Sequence, residues 1–243
     1  MDKTLSLGVA TAFALSLSAV ACGGETPAPK TPTDDTTEGP ARPAKRGPKL
    51  AVSQELGEID PKAAEAAIDR AMPQIQKCHK AGTQRVEYLA GDVKVFVRLD
   101  ARGKVRWAYF EESTIGDRQT EKCMLDALSN APWPAPTGGE AEVRKGFGFD
   151  AGDARPPADW PSDKVSGLAS GDAGVQKCKS GVSGTFKVTA YVEPAGDGGK
   201  ISAVGVAPPS QDAEAQVDCL VDALRSLKVP SPGSYAAKVS FTL

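Results

Sequence analysis

Apolar residues recur along this chain in two periods, and the order in which those periods alternate runs twice. After Asp60-Pro61, a helix N-cap with proline at the first helical position, Ala64, Ala67, Ile68, Ala71, Met72, Ile75 and Cys78 return at helical spacing, and Gly82 is placed to end the helix. Pro73 inside this run predicts a kink or a helix in two pieces. Period two follows. Val93, Val95, Val97 and Leu99 alternate with polar residues after Gly91, and Asp100-Ala101-Arg102-Gly103 turns the chain into a second strand from Lys104 to Glu111. Asp117 caps the next helix, whose Thr120, Cys123, Met124, Ala127, Leu128 and Ala131 make one stripe, and Pro132 stops it. A strand over about residues 140–149 closes the set.

The second half follows the same order. Val165, Leu168, Val175 and Cys178 keep a helical stripe that Gly167, Gly171 and Gly174 weaken. A hairpin of residues 184–193 and 200–206 is joined by a loose glycine-rich loop, 194–199; a helix over about 212–227 and a strand over 235–243 complete the half, with Phe241 matching Phe149. The correspondence extends to single residues. Cys123-Met124-Leu125-Asp126-Ala127-Leu128 answers to Cys219-Leu220-Val221-Asp222-Ala223-Leu224, and Pro134 and Pro136 stand at the same offsets from their cysteine as Pro230 and Pro232. Ile75-Gln76-Lys77-Cys78 has its counterpart in Val175-Gln176-Lys177-Cys178. Such repetition predicts two related modules, residues 53–150 and 164–243, joined by a connector, 151–163.

Length and composition agree with modules of about a hundred residues and thin cores. A net charge of −2 argues against a dedicated nucleic-acid binder, which carries a basic surplus on one face. Residues 1–21 read as an export signal, with Lys3 ahead of an apolar run that ends Ala19-Val20-Ala21-Cys22. The small-small-Cys ending resembles the lipobox of bacterial lipoproteins, which makes Cys22 a lipidation site and the membrane a partner through the N-terminal lipid. Ala19 stands where leucine is usual, and Ala19-Val20-Ala21 also fits an ordinary A-x-A cleavage site, which leaves an exported periplasmic protein. Residues 22–52, with prolines throughout and almost no large apolar side chain, form a disordered tether. Five cysteines are an odd number. With Cys22 outside both repeats, Cys78, Cys123, Cys178 and Cys219 remain as one pair per module, which suits an oxidising compartment; three connectivities are open.

The order helix, hairpin, helix, strand is similar to the C-terminal domain family of TonB-type energy transducers, and closer to its cysteine-containing AgmX/PglI-type branch in myxobacterial envelope proteins. The carrying residues are Cys78, Gly91, Val93, Val95, Gly103, Val105, Glu112-Ser113-Thr114, Cys123, Pro134 and Pro136. The second half keeps Cys178, Gly184, Gly199, Ile201, Cys219, Pro230 and Pro232, but has Pro208-Pro209-Ser210 at the Glu-Ser-Thr corner. The resemblance implies an α+β fold in which each module lays two helices on one face of a three-stranded antiparallel sheet. Side-by-side helices imply in turn the disulfides Cys78–Cys123 and Cys178–Cys219. It does not imply the transducer's task, which needs an inner-membrane helix coupled to a motor.

Alternation also predicts a binding surface. With Val93, Val95, Val97 and Leu99 turned toward the helices, Phe96 points the other way. Matching the second strand to Val204 and Val206 of the second half sets Ala108 and Phe110 inward, leaving Trp107 and Tyr109 outward beside Phe96. The equivalents in the second half, Thr189, Ala203 and Gly205, are small or polar. An open face with three aromatic rings marks a contact with a partner, whose extended segment the sheet edge would accept by β-augmentation, as the resembled fold does. The alternative is that the second module, or the connector with its Trp160, covers the rings.

Little points to chemistry. His79 stands alone, no Cys-x-x-Cys spacing exists, and no phosphate-cradling glycine loop precedes a helix, so neither metal nor cofactor is expected. Asp126 and Asp222 share the repeated Cys-x-x-Asp position, one carboxylate per module, the pattern of a solvated helix face. The expectation is a non-enzymatic lipoprotein of the cell envelope, anchored at the outer membrane and facing the periplasm, that binds another envelope protein of gliding or transport machinery; no small-molecule substrate is evident. The alternatives are a structural lipoprotein of the wall or outer membrane and a periplasmic enzyme of unrecognised type.

Overall fold

The computed structural model describes residues 56–243. The signal segment, Cys22, the tether and positions 53–55 lie outside the described residues. The described chain is mixed α+β, with five α-helices and two sheets.

In the first half, helix α1 spans Pro61–Thr83, capped by Asp60, whose carboxylate accepts from the Lys62 amide at 3.0 Å. Pro73 neither splits nor ends it, so of the two outcomes expected there, a kink or two pieces, the second does not occur. Pro73 is exposed, so the carbonyl it deprives of an amide faces water, while Ala67, Ile68, Ala71, Ile75 and Cys78 anchor the helix to the core on both sides. Gly82 is not the terminator either. It is buried inside the last turn, where a Cβ would stand 2.5 Å from Leu89 Cδ2. Strands β1 (Gly91–Leu99), β2 (Val105–Ser113) and β3 (Ala141–Phe149) form an antiparallel sheet in the order β2-β1-β3. Helix α2 (Arg118–Ser129) begins at Asp117, whose carboxylate accepts from the Thr120 amide at 3.2 Å. Val93, Val95, Val97 and Leu99 pack with Ile68, Ile75, Met124 and Leu128, so α1 and α2 share one face of the sheet.

The second half departs further from expectation. Its first helix is two, α3 (Asp163–Gly171) and α4 (Ala173–Lys179), broken at Asp172, whose side chain caps α4 by accepting from the Val175 amide at 2.9 Å. Its second is a 3-10 segment, Gln211–Gln216, leading into α5 (Val217–Arg225). The sheet has five strands where three were expected: β4 (Ala158–Asp159), β5 (Lys187–Ala195), β6 (Gly198–Ala207), β7 (Val229–Pro230) and β8 (Ala237–Thr242), in the order β4-β8-β5-β6-β7. Strand β4 comes from the connector and runs parallel to β8; the other pairs are antiparallel. The loop 194–199 is not loose: β5 and β6 pair up to Ala195↔Gly198 around a two-residue turn, with Gly196 at φ 58°.

Disulfides join Cys78 on α1 to Cys123 on α2, and Cys178 on α4 to Cys219 on α5, closing loops of 45 and 41 residues. Loops of this length correspond to about 4 kcal/mol each through the entropy removed from the unfolded chain. Two such bonds fit a protein folded outside the cytoplasm. Among the described residues no helix is long and apolar enough to cross a membrane.

Candidate protein-binding face

Residues paired across a sheet share a face, so the register locates the predicted patch. Phe96 pairs with Tyr109 and Arg98 with Trp107, both on the side of the first sheet away from α1 and α2, while Val95↔Phe110 and Val97↔Ala108 face the helices. The rings are not open, however. Phe96 is only 5% exposed, Tyr109 9%, and Trp107 is partly buried. Trp160 packs into the second core and is not the cover, while Tyr109 shares a cleft with Thr185, Pro208 and Pro209 of the second half. Over Phe96 and Trp107 the cover is arginine. The Arg144 guanidinium lies 4.6 Å from the Phe96 ring centre, and those of Arg98 and Arg106 lie 5.9 and 5.3 Å from that of Trp107. Phe96 and Tyr109 pack ring to ring at 5.1 Å.

Glutamates hold these arginines in place. Arg98 donates to Glu140 at 2.9 Å and to Glu142 at 2.5 Å, Arg106 also donates to Glu140, and Arg144 donates to Glu111 at 2.8 Å and Glu142 at 3.0 Å. Hydrogen bonds from Arg106, then Arg98, lower the Glu140 pKa, and burial raises that of Tyr109. Arg106 owes its position to a β-bulge where the β1–β2 register slips between Arg98 and Leu99. The same slip occurs in the second sheet between Tyr191 and Val192. The second half reaches only the rim of this face: Thr185, Pro208 and Pro209 line a small cleft with Lys94, Tyr109 and Glu111, and Lys187 donates to Glu112 at 3.0 Å.

The corresponding face of the second sheet carries Thr189↔Gly205 and Tyr191↔Ala203, and it is buried beneath the first half. Tyr191, Ala203 and Ala236 belong to the first core. The Tyr191 hydroxyl donates to the Ala90 carbonyl at 3.2 Å, Lys238 donates to the same oxygen at 2.7 Å, and the Tyr88 hydroxyl donates to Glu193 at 2.9 Å. Gly116, at φ 75°, comes so close that a Cβ would stand 2.9 Å from Thr189 Cγ2. Arg118 on α2 reaches Asp218 at 2.7 Å and Glu214 at 2.9 Å, and its hydrogen bond lowers the Asp218 pKa. The two halves therefore share a seam.

The remaining candidates have ordinary partners. His79 Nε2 donates to the Leu89 carbonyl at 2.8 Å, and its ring stacks on Phe149 at 4.8 Å. Asp126 and Asp222 are exposed and line one open cleft of about 970 Å³ between α1, α2 and α5, together with Arg70, Lys122 and Arg225. Among the described residues no group of three or more His, Cys, Asp or Glu is placed to hold a metal ion. The arginine cover escaped the sequence reading although a signal existed, since Arg98 and Arg144 fall on the same alternate positions as Phe96. Comparison with family models, curated proteins and solved structures finds no match to this chain.

Proposed function

We propose that this protein is a non-enzymatic, exported module of the bacterial cell envelope, tethered by a lipid on Cys22, that binds another envelope protein through the outer face of its first sheet. One observation carries the reading. Of two sheet faces built on the same register, one is buried in the seam, and the other carries Trp107, Tyr109 and Phe96 interleaved with Arg98, Arg106 and Arg144. Trp, Tyr and Arg are the residues that dominate binding energy at protein interfaces. Arginines pinned by glutamates lose little side-chain freedom when a partner settles on them.

The resemblance to the TonB C-terminal-like family supports the same class of task, and β3, paired on one side only, is an edge to which a partner's extended segment could add. A tandem origin of the two halves is supported by their common strand order, the matching register slip and one helix-to-helix disulfide in each. The test is Trp107→Ser in the full chain, followed by crosslinking in cells. Loss of the partner adduct with a thermal midpoint within a few degrees of wild type is the expected result. An adduct that survives the substitution removes this face from the account.

A further inference from the structure

Glu121 lies where α2, β2 and β6 meet, in the seam, and is 1% exposed. One oxygen, Oε1, accepts from the Ser113 hydroxyl at 2.5 Å, and the Gly116 amide also hydrogen-bonds the carboxyl; Oε2 has no partner among the described residues. Across the seam stands Gly205, where a Cβ would lie 2.7 Å from Glu121 Cδ. The glycine leaves the space that the carboxyl fills. An ionised carboxylate enclosed in this way lacks water and lacks donors for its second oxygen.

The charges around it offset that only in part: Arg118 favours the ionised form, and Asp117 opposes it. On α2 and its cap, Asp117 is held by Arg85 at 2.5 Å, and Arg118 is turned to Glu214 and Asp218. From β2 comes the neutral Ser113, and from β6 Ala203 and Gly205, which carry no ionisable group. From β5 come Thr189 and Tyr191, a phenol that burial pushes up to about 12. Lys238 on β8 is committed to the Ala90 carbonyl. Glu214, on the 3-10 segment, is itself raised by burial.

We propose that Glu121 is held neutral in the folded molecule and that its ionisation loosens the seam, making the joint between the two halves responsive to protons. Burial raises its pKa from 4.5 to about 7, against the opposing hydrogen bond from Ser113. A carboxyl whose folded value lies above its unfolded value contributes most to stability below the unfolded value, and that contribution is lost as pH rises through the folded one. The direction is opposite to that of an ordinary salt-bridged carboxylate.

The experiment follows the thermal midpoint and the amide exchange of the full, oxidised chain from pH 5.5 to 8.5 in wild type, Glu121→Gln and Ser113→Ala. In wild type the folding equilibrium should weaken by about thirtyfold across this range. Glu121→Gln, which cannot ionise, should lose most of that slope and protect the Thr189 and Gly205 amides better than wild type at pH 8. Ser113→Ala removes a donor to the ionised form and should move the inflection to higher pH. Parallel curves for wild type and Glu121→Gln, equal seam exchange at pH 8, or an inflection that Ser113→Ala leaves in place would each overturn the proposal.

Discussion

The outer faces of the two sheets carry the same pairings and meet opposite fates. In the first sheet the pairs are Phe96↔Tyr109 and Arg98↔Trp107; in the second they are Thr189↔Gly205 and Tyr191↔Ala203. Inward positions are alike in both, with β-branched and aliphatic residues under helices that a disulfide ties together. Only the outward residues decide what each face does. Small side chains at Ala203 and Gly205 let α2 and Glu121 approach the second sheet closely, and Tyr191 is inserted across the seam against Tyr88. Arginines and aromatic rings on the first sheet pack on one another, with the second half touching only the Tyr109 rim, and leave a firm surface facing solvent. With the same pairing pattern, one face is a buried joint and the other faces solvent, according to a handful of outward side chains.

The contrast can be broken from the buried side first. Tyr191→Ala removes one of the largest fully buried side chains and should cost about 3–5 kcal/mol, measured by urea unfolding under oxidising conditions. Gly205→Val drives a branched side chain into Glu121 and should cost about 1–3 kcal/mol. That cost should shrink in a Glu121→Ala background, because the two sites compete for the same volume; equal costs in both backgrounds would separate them. Trp107→Ser, on the solvent side, should cost about 1 kcal/mol or less, since it removes a partly buried ring and its contacts with one partly buried and one exposed guanidinium. A Trp107→Ser penalty as large as that of Tyr191→Ala would mean that both faces are core.

What was legible from the sequence was local. Period two placed Val93, Val95, Val97 and Leu99 on one face and Phe96 on the other. Comparing the halves settled which way Trp107 and Tyr109 point, because Val204 and Val206 allow one register only. The seam was not legible, since it depends on which outward faces meet. Thr189, Ala203 and Gly205 read as a missing patch when they are the space that another surface occupies. Tyr191 carries no sequence signal for the same reason. Glu121 did leave a signal: it precedes Met124, Leu125 and Leu128 on the buried stripe of α2, a carboxylate at an apolar position. Strands β4 and β7 have two residues each, too short for any period to announce. The continuity of α1 through Pro73 depends on which side of the helix faces water.

The proposed partner meets the first sheet's outer face and not some other exposed part of the chain. A photo-crosslinking amino acid placed at position 107, and in parallel at the exposed position Lys164 on α3, tests it in living cells. A discrete adduct is expected from position 107 and none from position 164. No adduct from position 107, or the same adduct from both positions, would contradict that placement.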